Sequence, residues 1–433
     1  MSRGGRPGKG GAWRGGGAAK RGPARPSGNG KGGAPAGPRL GAGQVGVNGY
    51  SEQWLRQGFP WVYPQEVTGG LGAPGAEVQL VGPSGAVLGR GITDGGWLAA
   101  RVFRHDDGAL DAAWMRERVG EALALRDAVI EDGTTCCRLI HGENDGLPGI
   151  RVDDWAGHLV VTLDSPAVGG LVAPLLDAIA ALRVVHSAHL CYRPDPRETL
   201  DPGAFSPPPG VLRGSDPGEV VVAERGVRLA VHPAQGPDVG AYMDMREVRR
   251  FLQPYWRGRR VLNTFAYTGA FSVAALAAGA AEAVSVDLSR PYLDGLRRNL
   301  ELNGLSVADD AILEEDVFKA LDRLRRTGRR FDAVVLDPPG FSHGPGGTWS
   351  AGQDYPRLVA GAARVLDPGG WLVAALNVGR IAPRAFRGMV SDGLKKAGRG
   401  AREVAFLGAA PDFPAAVSFP EGHYLKVGVW VLS

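Results

Sequence analysis

The stretch RVLNTFAYTGAF, residues 260–271, decides how the C-terminal half of this chain folds. A short apolar run, Arg260–Asn263, breaks at a loop centred on Gly269 and passes into a helix-forming segment, Ala270–Ala278. The same strand–loop–helix unit then repeats. Strand Ala283–Asp287 leads to helix Pro291–Asn303, strand Ala311–Leu313 to helix Val317–Arg326, and strand Ala333–Asp337 to helix Tyr355–Leu366, before strand Trp371–Asn377. Helix Arg246–Leu252 precedes the series. Buried apolar strands alternating with amphipathic helices predict an α/β fold, doubly wound around a parallel sheet. His423–Leu432 alternates like an edge strand that returns antiparallel.

In such a sheet, ligands bind outside the carboxyl ends of the strands. The first strand ends in Asn263 and the loop carrying Phe265, Tyr267 and Gly269, where glycine permits close approach and the next helix begins with free N–H groups. The second strand ends at Asp287, 24 residues after Asn263, placed to accept hydrogen bonds from two ribose hydroxyls. Asp316 follows the third strand, within reach of an adenine amino group. A dinucleotide site also wants an acid about 20 residues after its loop, but it needs three glycines so that the backbone can approach a pyrophosphate. Here Gly269 stands alone, with Phe265 and Tyr267 where space is required. S-adenosylmethionine has no pyrophosphate, and the ordered set favours it over NAD. Taken singly, Asp287 and Asp316 are also what ordinary helix caps look like.

The fourth strand ends in Asp337-Pro338-Pro339-Gly340-Phe341. Paired prolines make a stiff turn poor in N–H groups, so its carbonyls are expected to face a substrate base. Asp337 can orient the acceptor or the methionine end of the cofactor. Phe341 can stack on a base taken out of its helix.

Outside this half the chain is more varied. Residues 1–45 hold nine Lys and Arg and no acid, so the overall charge of +4 becomes −5 once they are removed. With sixteen glycines in the first 44 residues, this stretch is expected to be a disordered basic tail that either contacts phosphates or only solubilises. Residues 46–127 are β-rich, with strands at Glu77–Val81, Ala86–Leu88 and Trp97–Val102 and a helix over 113–127. Residues 128–238 form a central α/β region: strands Arg138–His141, Ile150–Val152, His158–Leu163 and Ser187–Tyr192, helix Val168–Leu182, a loop over 194–218, and a hairpin of Val220–Ala223 and Val227–Val231. Residues 239–433 complete the C-terminal domain. No apolar run approaches the ~20 residues of a membrane span, no secretory leader is visible, and three cysteines, two of them adjacent, suit neither a disulfide framework nor zinc. A cytoplasmic protein without metal is expected.

Taken together these motifs resemble the bacterial large-subunit rRNA methyltransferases that join a PUA domain, a central domain and a Rossmann-like class I catalytic domain. Gln57–Tyr63 is similar to the PUA opening, His141–Gly149 to the central-domain turn, and Gly240–Arg246 to a segment that helps to hold the cofactor. The resemblance implies an S-adenosyl-L-methionine-dependent enzyme acting on RNA, 23S rRNA or its precursor. It adds Tyr242, Asp244 and Arg246 to the candidate cofactor ligands Asn263, Phe265, Tyr267, Gly269, Asp287, Asp316 and Asp337. The candidate catalytic residues are Asp337, Pro338, Pro339, Phe341 and Asn377. One position departs from the family. Members that make 5-methylcytosine carry a cysteine at the end of the strand after DPPxF, because carbon 6 needs a thiolate to add before carbon 5 reacts. Asn377 stands there, and Cys136, Cys137 and Cys191 all lie upstream. Methylation of a nitrogen needs no thiol. A degenerate RNA-binding relative acting in ribosome assembly is the alternative.

Overall fold

The computed structural model describes residues 39–433 apart from 194–202, 204, 205, 237, 345 and 346. Most of the expected basic tail, residues 1–38, therefore lies outside the described residues, as does the first part of the 194–218 loop.

A seven-stranded sheet organises the C-terminal domain. We label its strands β1 (Arg260–Thr264), β2 (Glu282–Asp287), β3 (Ile312–Glu314), β4 (Phe331–Leu336), β5 (Leu366–Leu376), β6 (Ala401–Leu407) and β7 (Lys426–Leu432). The spatial order is β3-β2-β1-β4-β5-β7-β6. The first five are parallel, and β7 runs antiparallel to both β5 and β6. Helices α1 (Ala270–Ala277), α2 (Arg290–Leu302), α3 (Val317–Arg326), α4 (Ala351–Val365) and α5 (Pro383–Ala397) complete the crossovers. Both sheet faces are covered. Leu262, Val334, Leu336 and Leu372 pack with α3, α4 and α5, whereas Val261, Val335 and Val373 pack with Trp256 and Phe271. Each fully buried leucine contributes about 2 kcal/mol.

The sheet departs from its sequence reading at its far end. β7 is an internal strand, not an edge, because both of its edges are hydrogen-bonded, one to β5 and the other to β6. The edge is β6, whose Arg402 and Glu403 disguise it as a loop; exposed charge is tolerated, and protective, at a sheet edge.

Upstream, a six-stranded sheet runs in the order Trp61–Val62, Ala100–Arg104, Val87–Thr93, Glu77–Val81, Gln44–Val47, Val67–Gly69. Its Gln44–Val47 strand begins inside the stretch read as tail. The central sheet is ordered Gly210–Arg213, Ser187–Tyr192, His158–Leu163, Ile150–Trp155, Cys136–His141. Helix Ala112–Val129 sends Trp114, Val119 and Leu123 into the same apolar cluster as Ile140, Val152 and Val161 of that sheet.

Residues 408–425, between β6 and β7, form a strap that links the catalytic sheet to the two larger upstream sheets. Asp412, fully buried, is paired with Arg246 and accepts from Arg138 N–H at 2.9 Å. Ala416 N–H donates to Asn144 Oδ1 at 2.9 Å, and the Phe419 ring lies 4.7 Å from Trp61. The turn His141–Gly149 is where these contacts meet: Asp145 takes a bidentate pair from Arg126 at 2.8 and 2.7 Å, and Glu143 accepts from Trp61 Nε1 at 2.9 Å.

Candidate active site

The loop after β1 is bent by an alternation of left-handed residues: Phe265 at φ 55°, Tyr267 at φ 52° and Gly269 at φ 77°. A side chain in this region costs roughly 1–2 kcal/mol per residue, so the loop must be held from outside. Ala266 N–H donates to Val286 O at 3.0 Å, Tyr267 N–H to Asp287 Oδ2 at 2.9 Å, and Thr268 Oγ1 to Gly240 O at 2.5 Å. At Gly269 a Cβ would fall 2.0 Å from Leu296 Cδ1, so glycine lets the loop seat on α2.

Asp287 is the centre of this half of the site. Its second oxygen accepts from Ser289 N–H at 2.9 Å. Burial pushes its carboxyl above the usual range, opposed by backbone donors, and among the described residues no Lys or Arg pairs with it. Backbone N–H groups of Ser289, Tyr267 and Leu288 all act on this carboxylate, and a carboxylate, with about four lone-pair sites, retains acceptor capacity for a hydroxyl. Tyr267 stands beside it between the rings of Tyr242 at 5.1 Å and Tyr292 at 4.5 Å. Asp316 caps α3 through Lys319 N–H at 3.1 Å, the ordinary role its position allowed, with one oxygen remaining. Phe265 and Phe318 both face Trp349, at 6.1 and 6.0 Å.

Two expected ligands are occupied elsewhere. Asn263 is buried and donates to Ser272 Oγ at 2.9 Å, which in turn bonds Ser285 at 2.7 Å, so it fastens α1 to the sheet. Arg246 is buried in its pair with Asp412 and donates to Cys136 O at 3.2 Å, tying domains together. Asp244 takes the Tyr424 hydroxyl at 2.7 Å, and the Tyr242 hydroxyl donates to Asp238 at 2.9 Å.

Asp337 follows β4 and receives no hydrogen bond among the described residues. Burial first, then the neighbouring Asp244, pushes its carboxyl up to about 7, while Arg249 opposes the rise. The expectation of free carbonyls in the proline turn needs correcting at two places. Pro339 O accepts from Trp349 Nε1 at 2.6 Å, and Gly340 O from Ala351 N–H at 3.2 Å. These donors come from the hairpin Phe341–Gly344 and Gly347–Ser350 and the start of α4. Phe341 is half-buried at the base of that hairpin and Pro338 is buried. Asn377 is exposed just past β5, its Oδ1 3.4 Å from the place a Cβ would take on Gly340. The two strand ends thus adjoin.

Arg249, Tyr292, Trp349 and Tyr424 were not singled out in the sequence. Only Tyr292 carried a signal, five residues past Asp287 at the start of a helix. Arg249 is buried, pairs Glu224 through two 2.6 Å bonds, and brings positive charge beside Asp244 and Asp337. Cys136 and Cys191 lie in strands of the central sheet, remote in sequence from Asn377.

A family model for S-adenosylmethionine-dependent methyltransferases matches residues 211–418, and a PUA-like domain model matches residues 45–104. The protein named ribosomal RNA large subunit methyltransferase I is 34% identical in Aeromonas salmonicida over 386 residues, 88% of this chain and 96% of that one. Its Vibrio cholerae counterpart is 34% identical over 86% of this chain and 95% of its own length. The chain belongs to this family. It is a class I S-adenosylmethionine-dependent methyltransferase with a PUA-like N-terminal domain. A Streptococcus mutans methyltransferase structure shares the fold, with a TM-score of 0.78 and 22% identity over 90% of this chain and 99% of that one. A methyltransferase solved with SAH superposes at a TM-score of 0.80, also with 22% identity and the same coverage.

Proposed function

We propose that this methyltransferase acts on large-subunit ribosomal RNA, 23S rRNA or its precursor, in the cytoplasm, and transfers its methyl group to a base nitrogen. The relatives' names and the PUA-like domain support RNA as substrate. The observation that carries the choice of atom is Asn377 at the end of β5, where a thiol is required for carbon-5 chemistry and none is present.

In this reading Asp287 holds the ribose and Asp316 the adenine of S-adenosylmethionine, with Phe265, Tyr267 and Tyr242 around them. The cofactor supplies an electrophilic methyl group on sulfur. The chain's own residues align the acceptor. Asp337 and Asn377 orient the base edge, and Pro338 and Pro339 keep that wall stiff, because a misplacement of 1 Å costs roughly 100-fold in rate. A ring nitrogen with an in-plane lone pair loses no proton on methylation. An exocyclic amine does, and a carboxylate with a pKa of about 7 is matched to receiving it.

Mass spectrometry of rRNA nucleosides from a deletion strain tests this. Loss of one nitrogen-methylated nucleoside is expected. Loss of 5-methylcytidine overturns the choice of atom, and an unchanged profile overturns the rRNA target.

A further inference from the structure

Lys426 opens β7, in the otherwise apolar run Lys426-Val-Gly-Val-Trp-Val-Leu432, and is only 3% exposed. Among the described residues no carboxylate pairs with it. Its ammonium donates instead to Val378 O and Tyr424 O, both at 2.8 Å. Burying an ammonium against neutral carbonyls costs free energy that an apolar side chain of similar length avoids. The two bonds offset that cost only in part, so stability is a weak reason for the charge.

Its location is a stronger one. Lys426 lies opposite Leu376 in register, so its side chain spans the end of β5 and reaches the residue after Asn377. Val378 in turn abuts the proline turn: its Cγ2 is 2.9 Å from the place of a Cβ on Gly340. The other bond, to Tyr424, joins the residue whose hydroxyl holds Asp244, the acid next to Asp337. One ammonium thus fastens the Asn377 loop to the strap that carries the Asp244 partner.

We propose that Lys426 is a positioning residue for methyl transfer, holding the Val378 carbonyl so that Asn377 and the Asp337 turn keep a fixed spacing around the acceptor base. The inference rests on the reading of that loop as the acceptor wall. Burial alone lowers the ammonium's pKa from the lysine value, in keeping with a charge kept where water is scarce.

The test compares wild type, K426M, K426R and N377A in single-turnover transfer from tritiated S-adenosylmethionine to 23S rRNA extracted from a deletion strain, with Tm and cofactor Kd measured for each. For K426M the expected result is a rate at least 10-fold lower, with Tm lowered only modestly by the two carbonyls that lose their donor and cofactor Kd within twofold. K426R, which keeps the donors, is expected to recover part of the rate. A wild-type rate in K426M overturns the proposal. So does a loss of rate matched by a steeply fallen Tm and weakened cofactor binding, the pattern of a merely structural residue. N377A separates the two levels: wild-type transfer by N377A removes the acceptor-wall reading itself, whereas a slow N377A beside a normal K426M removes only the role of Lys426.

Discussion

Tyr267 donates its backbone N–H to Asp287 Oδ2 across 2.9 Å, joining the loop after β1 to the end of β2. The bond fixes the left-handed turn at Tyr267 and aims the carboxylate in the same step. Substituting Asp287→Ala removes both effects. Hydrogen bonds to a charged group are worth about 1.5–3 kcal/mol, so the Kd for S-adenosylmethionine should rise roughly 10- to 100-fold by calorimetry. An affinity within threefold of wild type would take Asp287 out of the cofactor site.

Asp337 makes stability depend on pH in a stated direction. Its carboxyl titrates at about 7 in the folded protein, against 3.8 for an ordinary aspartate. Between those values the folded state keeps a proton that the unfolded state has released. The stability contributed by protonated Asp337 is therefore complete below about pH 4 and declines as pH rises towards 7. In the cofactor-free protein, the fall of Tm over that interval should be smaller in D337N than in wild type. Parallel Tm profiles would place Asp337 in a more polar setting.

Trp349 is the only described side chain that donates to the Pro339 carbonyl. W349F keeps an aromatic side chain but loses the donor together with part of the ring system, leaving a partly buried acceptor unsatisfied at a cost of about 1–3 kcal/mol. Methyl transfer should slow by tenfold or more while cofactor affinity is kept. Equal loss of both would mean that Trp349 supports the cofactor pocket instead.

The strap offers a test far from the site. Asp412 is fully buried, paired with Arg246, and receives Arg138 N–H. Removing one member of a buried ion pair strands the other, at a typical cost of 3–5 kcal/mol. D412A should melt well below wild type by calorimetry. A shift of under 2 °C would show the pair to be dispensable.

Gly269→Ala combines a Cβ 2.0 Å from Leu296 Cδ1 with a backbone at φ 77°. Both effects oppose the same loop, so this single methyl group is expected to lower Tm and weaken cofactor binding together. Normal cofactor affinity in G269A would mean that the loop adapts without disturbing the pocket.

Much of the catalytic fold could be read directly because its signals are local. The runs Arg246–Leu252 and Val317–Arg326 have the helical boundaries their periodicity predicts, and Asp287 and Asp337 stand at strand ends because apolar runs stop there. The edge strand β6 and helix α5 were not legible: charged residues on an exposed strand erase the alternation that marks a half-buried one.

The candidate ligands divide along the same line. Asn263 and Arg246 have the right chemistry and the right sequence neighbourhood, yet their side chains are engaged by Ser272 and Asp412. Asp412 lies 166 residues beyond Arg246, and no local pattern announces such a pairing. Lys426 is the converse, a charge in an apolar strand whose meaning depends on Val378 and Tyr424 arriving beside it.

By itself, then, the order of residues settled the alternation of strands and helices, the acids at the strand ends, the stiff proline turn and the missing thiol, because each follows from chain geometry and side-chain chemistry within a few residues. Folding in three dimensions decided which polar groups remain available. A buried donor or acceptor takes whichever partner packing delivers, and that partner is set by contacts between segments hundreds of residues apart.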